Sequence, residues 1–151
     1  MLEWTATAQA NATPCEVLEV LTHPDEIRRW SPVTFDLDGI DDRRLSAGTR
    51  GRVTGRLAGL SVGFDVEVHA ADEAGLELSA DGPVALDVRY ALSGDGTGAE
   101  LKASVTMRRS GGLTGRLIAN AAAALLSAGA LQGAAGRIAQ VAESQRSLSF
   151  V

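Results

Sequence analysis

Cysteine and histidine are scarce in this sequence, which has one cysteine, Cys15, and two histidines, His23 and His69. A single thiol excludes an internal disulfide, and neither a second cysteine nor a paired histidine completes the three or four ligands of a zinc site. We therefore expect no metal and no cofactor. His23 lies in a proline-flanked turn and His69 at the polar end of a strand-like segment, so we interpret both as solvated rather than catalytic side chains.

Positive charge is also in short supply. Fourteen lysines and arginines stand against nineteen aspartates and glutamates, for a net charge of −5. Phosphate binding depends on clustered lysine and arginine, so this balance argues against nucleic acid as a partner. The opening residues, MLEWTATAQ, contain neither the basic segment nor the apolar run of a signal peptide, and we expect a cytoplasmic protein.

An uncharged segment, residues 117–135, has about the length of a membrane span. It consists mostly of alanine and glycine, with Asn120, Ser127 and Gln132 inside it, so its transfer into lipid would gain little free energy. We predict a buried helix of a water-soluble protein and no transmembrane span. The length of the chain suits a single domain, 1–151, with one core.

The N-terminal third predicts one strand followed by two short helices. Residues 2–8 alternate apolar and polar side chains, the period of a half-buried strand. Pro14 can occupy the first turn of a helix. A second short helix is expected over Pro24–Trp30, where the following Ser31-Pro32 ends it.

The middle of the chain predicts an antiparallel sheet with one dry face and one wet face, because each segment keeps its apolar residues on one parity. These inward sets are Val33, Phe35 and Leu37; Val53, Gly55 and Leu57; Val62, Phe64, Val66 and Val68; Leu76, Leu78 and Ala80; Val84, Leu86, Val88, Tyr90 and Leu92; and Leu101, Ala103, Val105 and Met107. A two-residue hairpin loop at Gly59-Leu60 would place Arg52 opposite Glu67 on the wet face.

The C-terminal segment predicts one helix of more than thirty residues, from residue 112 to about residue 144. An apolar stripe at helical spacing is expected to face the sheet: Leu113, Leu117, Ala121, Ala124, Ala128, Leu131, Ala135, Ile138 and Ala142. Its middle is alanine where a solid core would place leucine, so either the sheet or a ligand fills the space.

The opposite face of the same helix is small and apolar. It carries Ala119, Ala122, Leu126, Gly129, Ala130 and Gly133. Two interpretations stay open for this ridge. It is either an ordinary alanine-rich surface or a contact surface for a second copy of the chain or for a membrane.

Several segments resemble a known superfamily. Residues 12–17, then Leu-Thr-His-Pro-Asp-Glu-Ile at 21–27 and Trp30, are similar to the opening of the polyketide cyclase/dehydrase and lipid-transport branch of the SRPBCC (START and birch-pollen-allergen-like) superfamily. Residues 82–90 and Gly111-Gly112-Leu113 also resemble the family of carbon monoxide dehydrogenase accessory proteins. The resemblance implies an α+β helix-grip fold, in which a curved antiparallel sheet of about six or seven strands wraps a long C-terminal helix.

Parity and helix phase together predict a ligand-binding cavity between sheet and helix. The expected lining is Val53, Phe64, Val66, Leu86, Val88, Tyr90, Met107, Leu117, Ala121, Ala124 and Leu125. No catalytic set is visible. Residues 59–63 match the G-x-S-x-G pattern of a nucleophile elbow, but here the pattern bridges two strands, whereas the elbow needs a strand followed by a helix.

We therefore expect a protein that binds or carries a hydrophobic small molecule without catalysis. The resemblance implies a lipid, a polyketide or an aromatic compound as the ligand. Two alternatives remain open: a polyketide cyclase or dehydratase, and an accessory or interaction subunit related to the carbon monoxide dehydrogenase proteins.

Overall fold

The computed structural model describes residues 2–31, 35–38, 44–57, 59–94 and 98–148. Val33 of the predicted strands lies outside these residues. The elements in chain order are β1 (Leu2–Ala10), α1 (Pro14–Thr22), α2 (Pro24–Trp30), β2 (Phe35–Asp38), β3 (Arg50–Leu57), β4 (Leu60–Asp72), β5 (Gly75–Asp81), β6 (Val84–Gly94), β7 (Ala99–Ser110), α3 (Gly112–Ser127) and α4 (Ala130–Leu148).

The seven strands form one antiparallel sheet in the order β1-β7-β6-β5-β4-β3-β2. Consecutive strands from β2 to β7 are neighbours, and the first strand pairs with the last. Irregularities of register after Val68 and after Ala85 are typical of bulges, which bend a strand locally. The predicted antiparallel sheet is confirmed, and the helices pack on its apolar face.

The β3–β4 register differs from the prediction. Arg52 pairs with Asp65 and Arg50 with Glu67, with Nη–carboxylate distances of 3.1 and 3.2 Å. The hairpin connection comes one residue earlier than expected, because Leu60 already pairs with Leu57. Gly59 takes a φ of +79°, a conformation that glycine adopts without steric cost. Shifting the connection by one residue shifts every cross-strand partner by two.

The two short helices begin where the prolines predict. At α1, Thr13 and Glu16 form a reciprocal cap: the Thr13 hydroxyl accepts from the Glu16 backbone N–H at 3.2 Å, and the Glu16 carboxylate accepts from the Thr13 N–H at 2.8 Å. The predicted bounds of α2 are confirmed. The Trp30 indole N–H donates to the Val20 carbonyl at 3.0 Å and so fastens the end of α2 to α1.

The predicted single C-terminal helix is wrong, since α3 and α4 meet at an angle of 58°. The break lies at Gly129, whose φ of +99° is left-handed. A left-handed residue cannot continue a right-handed helix, and glycine is the usual residue at such a helix end. The Gly129 N–H donates to the Leu126 carbonyl at 3.2 Å, which closes the last turn of α3.

The face that α3 turns towards the sheet also differs from the prediction. Leu113 and Leu117 are 81% and 62% exposed, whereas Ile118 and Ala122 are 1% and 8% exposed. In α4 the predicted stripe is buried as expected, at Leu131, Ala135, Ile138 and Ala142. Because the bend separates the two helices, the phase of α4 does not fix the phase of α3.

The small apolar ridge predicted on the back of the helix is therefore not an outward surface. Ala122 is buried and Leu126 is partly buried against the core, so both face the sheet. Gly129 and Gly133 are exposed, but Gly129 lies at the bend itself and Gly133 beyond it. The contact surface for a second copy or a membrane loses the continuous ridge on which it was predicted.

Neither C-terminal helix alone has the length and apolar composition needed to cross a membrane, within the residues described above. Taken as a bent pair, Gly112–Ser127 and Ala130–Gln145 pass that test of length and composition.

The buried apolar residues form two clusters. The larger one joins α1, α4 and the β1–β7 side of the sheet and includes Trp30, Tyr90 and Ile138. In the smaller one, Ile118 of α3 packs on Val62 and Val84. Leu86 contacts both clusters, and the space between them is the cavity described next.

Candidate ligand-binding cavity

A cavity of about 340 Å³ lies between the apolar face of the sheet, the short helix α2 and the bend of the C-terminal helices. This volume is at the lower end of the range of small-molecule sites, about 300–1,000 Å³. The sheet contributes Phe35, Leu37, Val53, Gly55, Arg56, Phe64, Val66, Leu76, Leu78, Leu86, Val88, Tyr90 and Val105. The helices and loops contribute Leu21, Pro24, Ile27, Trp30, Ser31, Leu45, Ala122, Leu125, Leu126, Ala130, Leu131 and Ala134.

Strand parity places most of the predicted lining correctly. Side chains two residues apart share a face of the sheet. The structure brings together seven of the predicted residues at the cavity: Val53, Phe64, Val66, Leu86, Val88, Tyr90 and Leu125. Whether they bind a ligand stays a prediction.

Four predicted residues lie outside the cavity. Met107 is buried, but on β7 the lining residue is Val105, two positions earlier. Leu117 and Ala124 are exposed and Ala121 is only partly buried. The three helix residues miss the cavity because α3 presents Ala122, Leu125 and Leu126 to it instead.

Sequence reasoning missed the roof of the cavity, formed by α1, α2 and the start of α4. Leu21, Ile27 and Trp30 can be recognised in the sequence as apolar residues of short helices. A helix of seven to nine residues has too few apolar positions to predict which of them face a cavity. Ala130 and Ala134 enter the lining through the bend at Gly129, for which the glycine itself is the available signal.

The polar atoms of the lining are few. Trp30 and Tyr90 meet at the cavity wall, and the Trp30 N–H is already bound to the Val20 carbonyl. Tyr90 is 7% exposed, and its hydroxyl has no hydrogen-bond partner among the described residues. Burial raises the pKa of the Tyr90 phenol above its usual value, so the hydroxyl keeps its proton at neutral pH.

The other candidate groups lie elsewhere. Arg56 is the one charged residue among the described lining residues, and it is exposed. His23 faces Glu19 at 3.8 Å, and His69 Nε2 lies 2.9 Å from the Ser79 hydroxyl; neither histidine lines the cavity. Ser61 lies on β4 within a strand hairpin and not before a helix.

No group of three or more metal-ligating side chains (His, Cys, Asp or Glu) comes together in the described parts of the chain.

Solved structures with the same arrangement of sheet and helices identify the fold class. TTHA0849 from Thermus thermophilus superposes with a TM-score of 0.72 at 16% identity, over 95% of this chain and 99% of that one. Protein CV1439 from Chromobacterium violaceum gives 0.65 at 14% identity, over 89% and 96%. Ara h 8.0201 gives 0.60 at 15% identity, over 91% and 97%. These likenesses confirm the predicted helix-grip α+β fold.

Residues 1–143 match the protein family described as polyketide cyclase / dehydrase and lipid transport, and the chain belongs to that family. No curated protein is significantly similar to the chain in sequence. Family and fold together support a role in binding hydrophobic ligands.

Proposed function

We propose that this protein binds and carries one hydrophobic small molecule in the cavity, without transforming it. The observation that carries the proposal is a cavity of about 340 Å³ whose lining is almost entirely aliphatic and aromatic. Apolar walls with very few polar groups are typical of sites that recognise lipids and aromatic compounds by shape and burial.

The energetic cost of such a cavity supports the same proposal. Apolar side chains that border an unfilled space lose packing contacts, and the cost to stability grows with the unfilled volume. Alanines at 122 and 134 preserve the space where leucines would fill it. A bound apolar molecule would offset the cost.

The absence of acid–base groups from the lining favours carriage over catalysis. General acid–base chemistry needs a group whose pKa lies near the working pH and that reaches the substrate. The described lining residues include no histidine, aspartate or glutamate, and the raised pKa of Tyr90 makes it a poor proton exchanger at neutral pH.

Native mass spectrometry of the protein freshly purified from its host tests the proposal. We expect a fraction of the molecules to carry a noncovalent apolar compound that is released by acid denaturation. After extraction with organic solvent and refolding, the protein should bind an apolar fluorescent dye saturably with one site per chain. A protein with no retained compound and no saturable dye binding would contradict the proposal.

The second candidate is a polyketide cyclase or dehydratase, which the family description favours. In that case the Tyr90 hydroxyl is the group in the described lining that could polarise a bound carbonyl by donating a hydrogen bond to it. Incubation with a linear poly-β-ketone, followed by chromatography and mass spectrometry of the products, distinguishes the two. A cyclised or dehydrated product that wild type forms and Tyr90→Phe does not form would replace the carrier by an enzyme.

A further inference from the structure

We propose that the Tyr90 hydroxyl donates a hydrogen bond to a neutral acceptor oxygen of the ligand, so that the cargo is an apolar molecule bearing a carbonyl or similar oxygen. This inference rests on the proposed function and narrows its ligand class. It assigns one specific polar contact to a cavity whose other walls are almost entirely aliphatic and aromatic.

The first step is the position of the hydroxyl. Tyr90 belongs to the cavity lining and is 7% exposed, yet its oxygen has no hydrogen-bond partner in the described part of the chain. Among the same residues, every fully enclosed side-chain nitrogen or oxygen does have a partner. The Tyr90 oxygen is therefore not sealed into the protein, and for a side chain this buried the open space it borders is the cavity.

The second step is that the hydroxyl is held in place. The rings of Tyr90 and Trp30 pack in a T-shaped arrangement, with their centroids 5.7 Å apart and their planes at 74°. Trp30 is itself fixed by its hydrogen bond to the Val20 carbonyl. A hydroxyl on a ring packed in this way is positioned before any ligand arrives, which reduces the entropy lost on binding.

The third step is the charge of the ligand group. A carboxylate beside Tyr90 would be buried without a counterion, because the charged lining residue Arg56 lies on β3, three strands away in the sheet. With about 4.8 Å between neighbouring strands, the backbones of β6 and β3 are roughly 14 Å apart, measured along the sheet. An ammonium group would find no carboxylate among the described lining residues. A pure hydrocarbon would leave the buried hydroxyl unsatisfied.

A neutral acceptor meets all three conditions. Burial raises the pKa of the Tyr90 phenol, so the group remains a donor throughout the neutral range. A ketone, ester, ether or quinone oxygen accepts one hydrogen bond without bringing a charge into the cavity. The rest of the ligand then contacts only the apolar walls.

Fluorene and fluorenone test this inference, because the two rigid tricycles have nearly the same shape and differ in one carbonyl. Their dissociation constants are measured for wild type and for Tyr90→Phe. We expect the preference for fluorenone over fluorene to fall by about 3- to 10-fold in Tyr90→Phe, the usual size of one neutral hydrogen bond. The affinity for fluorene should stay the same or rise.

The infrared band of the carbonyl gives a second readout. In wild type the C=O stretch of bound fluorenone should lie below its frequency in an alkane, and in Tyr90→Phe it should return to the alkane value. If Tyr90→Phe does not fold, the wild-type band decides alone.

The outcomes separate the two proposals. Saturable binding of both tricycles with an alkane-like carbonyl band in wild type, or with no change of preference in Tyr90→Phe, would overturn the role of Tyr90 and leave the carrier function standing. No saturable binding of either tricycle to wild type would overturn the carrier function and this inference with it.

Discussion

Trp30 at the end of α2 and Tyr90 in the middle of β6 pack with their ring planes at 74° and their centroids 5.7 Å apart. Perpendicular aromatic pairs of this kind contribute about 0.5–1.5 kcal/mol beyond the area they bury. Both rings line the cavity, so the contact packs the end of α2 against β6 beside the space that a ligand would occupy. It also makes Trp30 a natural reporter of binding.

Tryptophan fluorescence should therefore report ligand binding through Trp30 alone. The chain has two tryptophans, and Trp4 lies outside the cavity with its N–H 3.3 Å from the Ser127 hydroxyl. We expect Trp4→Phe to keep the change in emission caused by an apolar, non-absorbing ligand and Trp30→Phe to lose it. A full ligand-induced change in Trp30→Phe would place the binding site elsewhere.

Filling the cavity from α3 should weaken binding without unfolding the protein. Ala122 lines the cavity, so Ala122→Leu adds three carbons to open space and should leave the free energy of unfolding unchanged or raise it by about 1–2 kcal/mol. Dye affinity should fall at least several-fold. Urea unfolding and dye titration measure the two effects.

Ala124→Leu is the matched control, because Ala124 is exposed on the same helix. It should change stability by less than about 0.5 kcal/mol and leave dye affinity intact. A loss of several kcal/mol in Ala122→Leu would instead show that the space is tightly packed.

The strands are predictable from sequence because their two faces differ sharply in polarity. On β6 the inward Val88 and Tyr90 alternate with the outward Asp87 and Arg89. Shifting the strand by one residue would turn these two charged side chains into the core, so the sequence defines the inward face clearly. Six sheet residues of the predicted cavity follow from that alternation. The hairpin register is less secure, because Gly59 and its neighbours allow a connection one residue to either side.

The face of α3 is not predictable, for the opposite reason. Its sequence, GLTGRLIANAAAALLS, offers two apolar stripes at helical spacing, one through Leu117 and one through Ile118 and Ala122. Only tertiary contacts with Val62 and Val84 choose between them. The spacing of apolar residues alone places Gly129 on the small apolar ridge of a continuous helix. A glycine inside a helical pattern is also a signal for the end of a helix, which is what the structure shows at this position.

Two neighbouring residues of α3 should respond very differently to truncation. Ile118 is 1% exposed and packs on Val62 and Val84, so Ile118→Ala should lower the free energy of unfolding by about 2–5 kcal/mol. Leu117 is 62% exposed, and Leu117→Ala should cost less than about 0.5 kcal/mol. Chemical denaturation of the pair measures both, and equal losses would mean that α3 has the phase predicted from its sequence.

The bend between α3 and α4 should depend on Gly129. An added Cβ there meets no atom within 4 Å, so Gly129→Ala is penalised by its φ of +99° alone, about 1–2 kcal/mol. Gly136 is the control, since it is inside α4, also has free space around it, and carries no left-handed φ. Gly136→Ala should stabilise by about 0.5–1 kcal/mol. Thermal unfolding shows the two signs, and stabilisation by Gly129→Ala would argue for a continuous helix.

Tyr90 should make the protein less stable at high pH. Burial raises the pKa of the Tyr90 phenol in the folded protein above the usual value of 10.0. Below about pH 10 both the folded and the unfolded chain keep the phenolic proton, and the contribution of Tyr90 to the free energy of unfolding is complete. As the pH rises further the unfolded chain releases this proton while the folded chain keeps it, so that contribution is lost. The loss approaches about 1.4 kcal/mol for each pH unit above that point.

Tyr90 is the single tyrosine of the sequence, so the absorbance of phenolate follows this residue alone. We expect native wild type to show no phenolate at about pH 10.5, and its urea midpoint to fall more between about pH 8 and pH 11 than that of Tyr90→Phe. A phenolate signal that appears in the folded protein with an ordinary midpoint would show that the hydroxyl is open to solvent and not enclosed by the cavity.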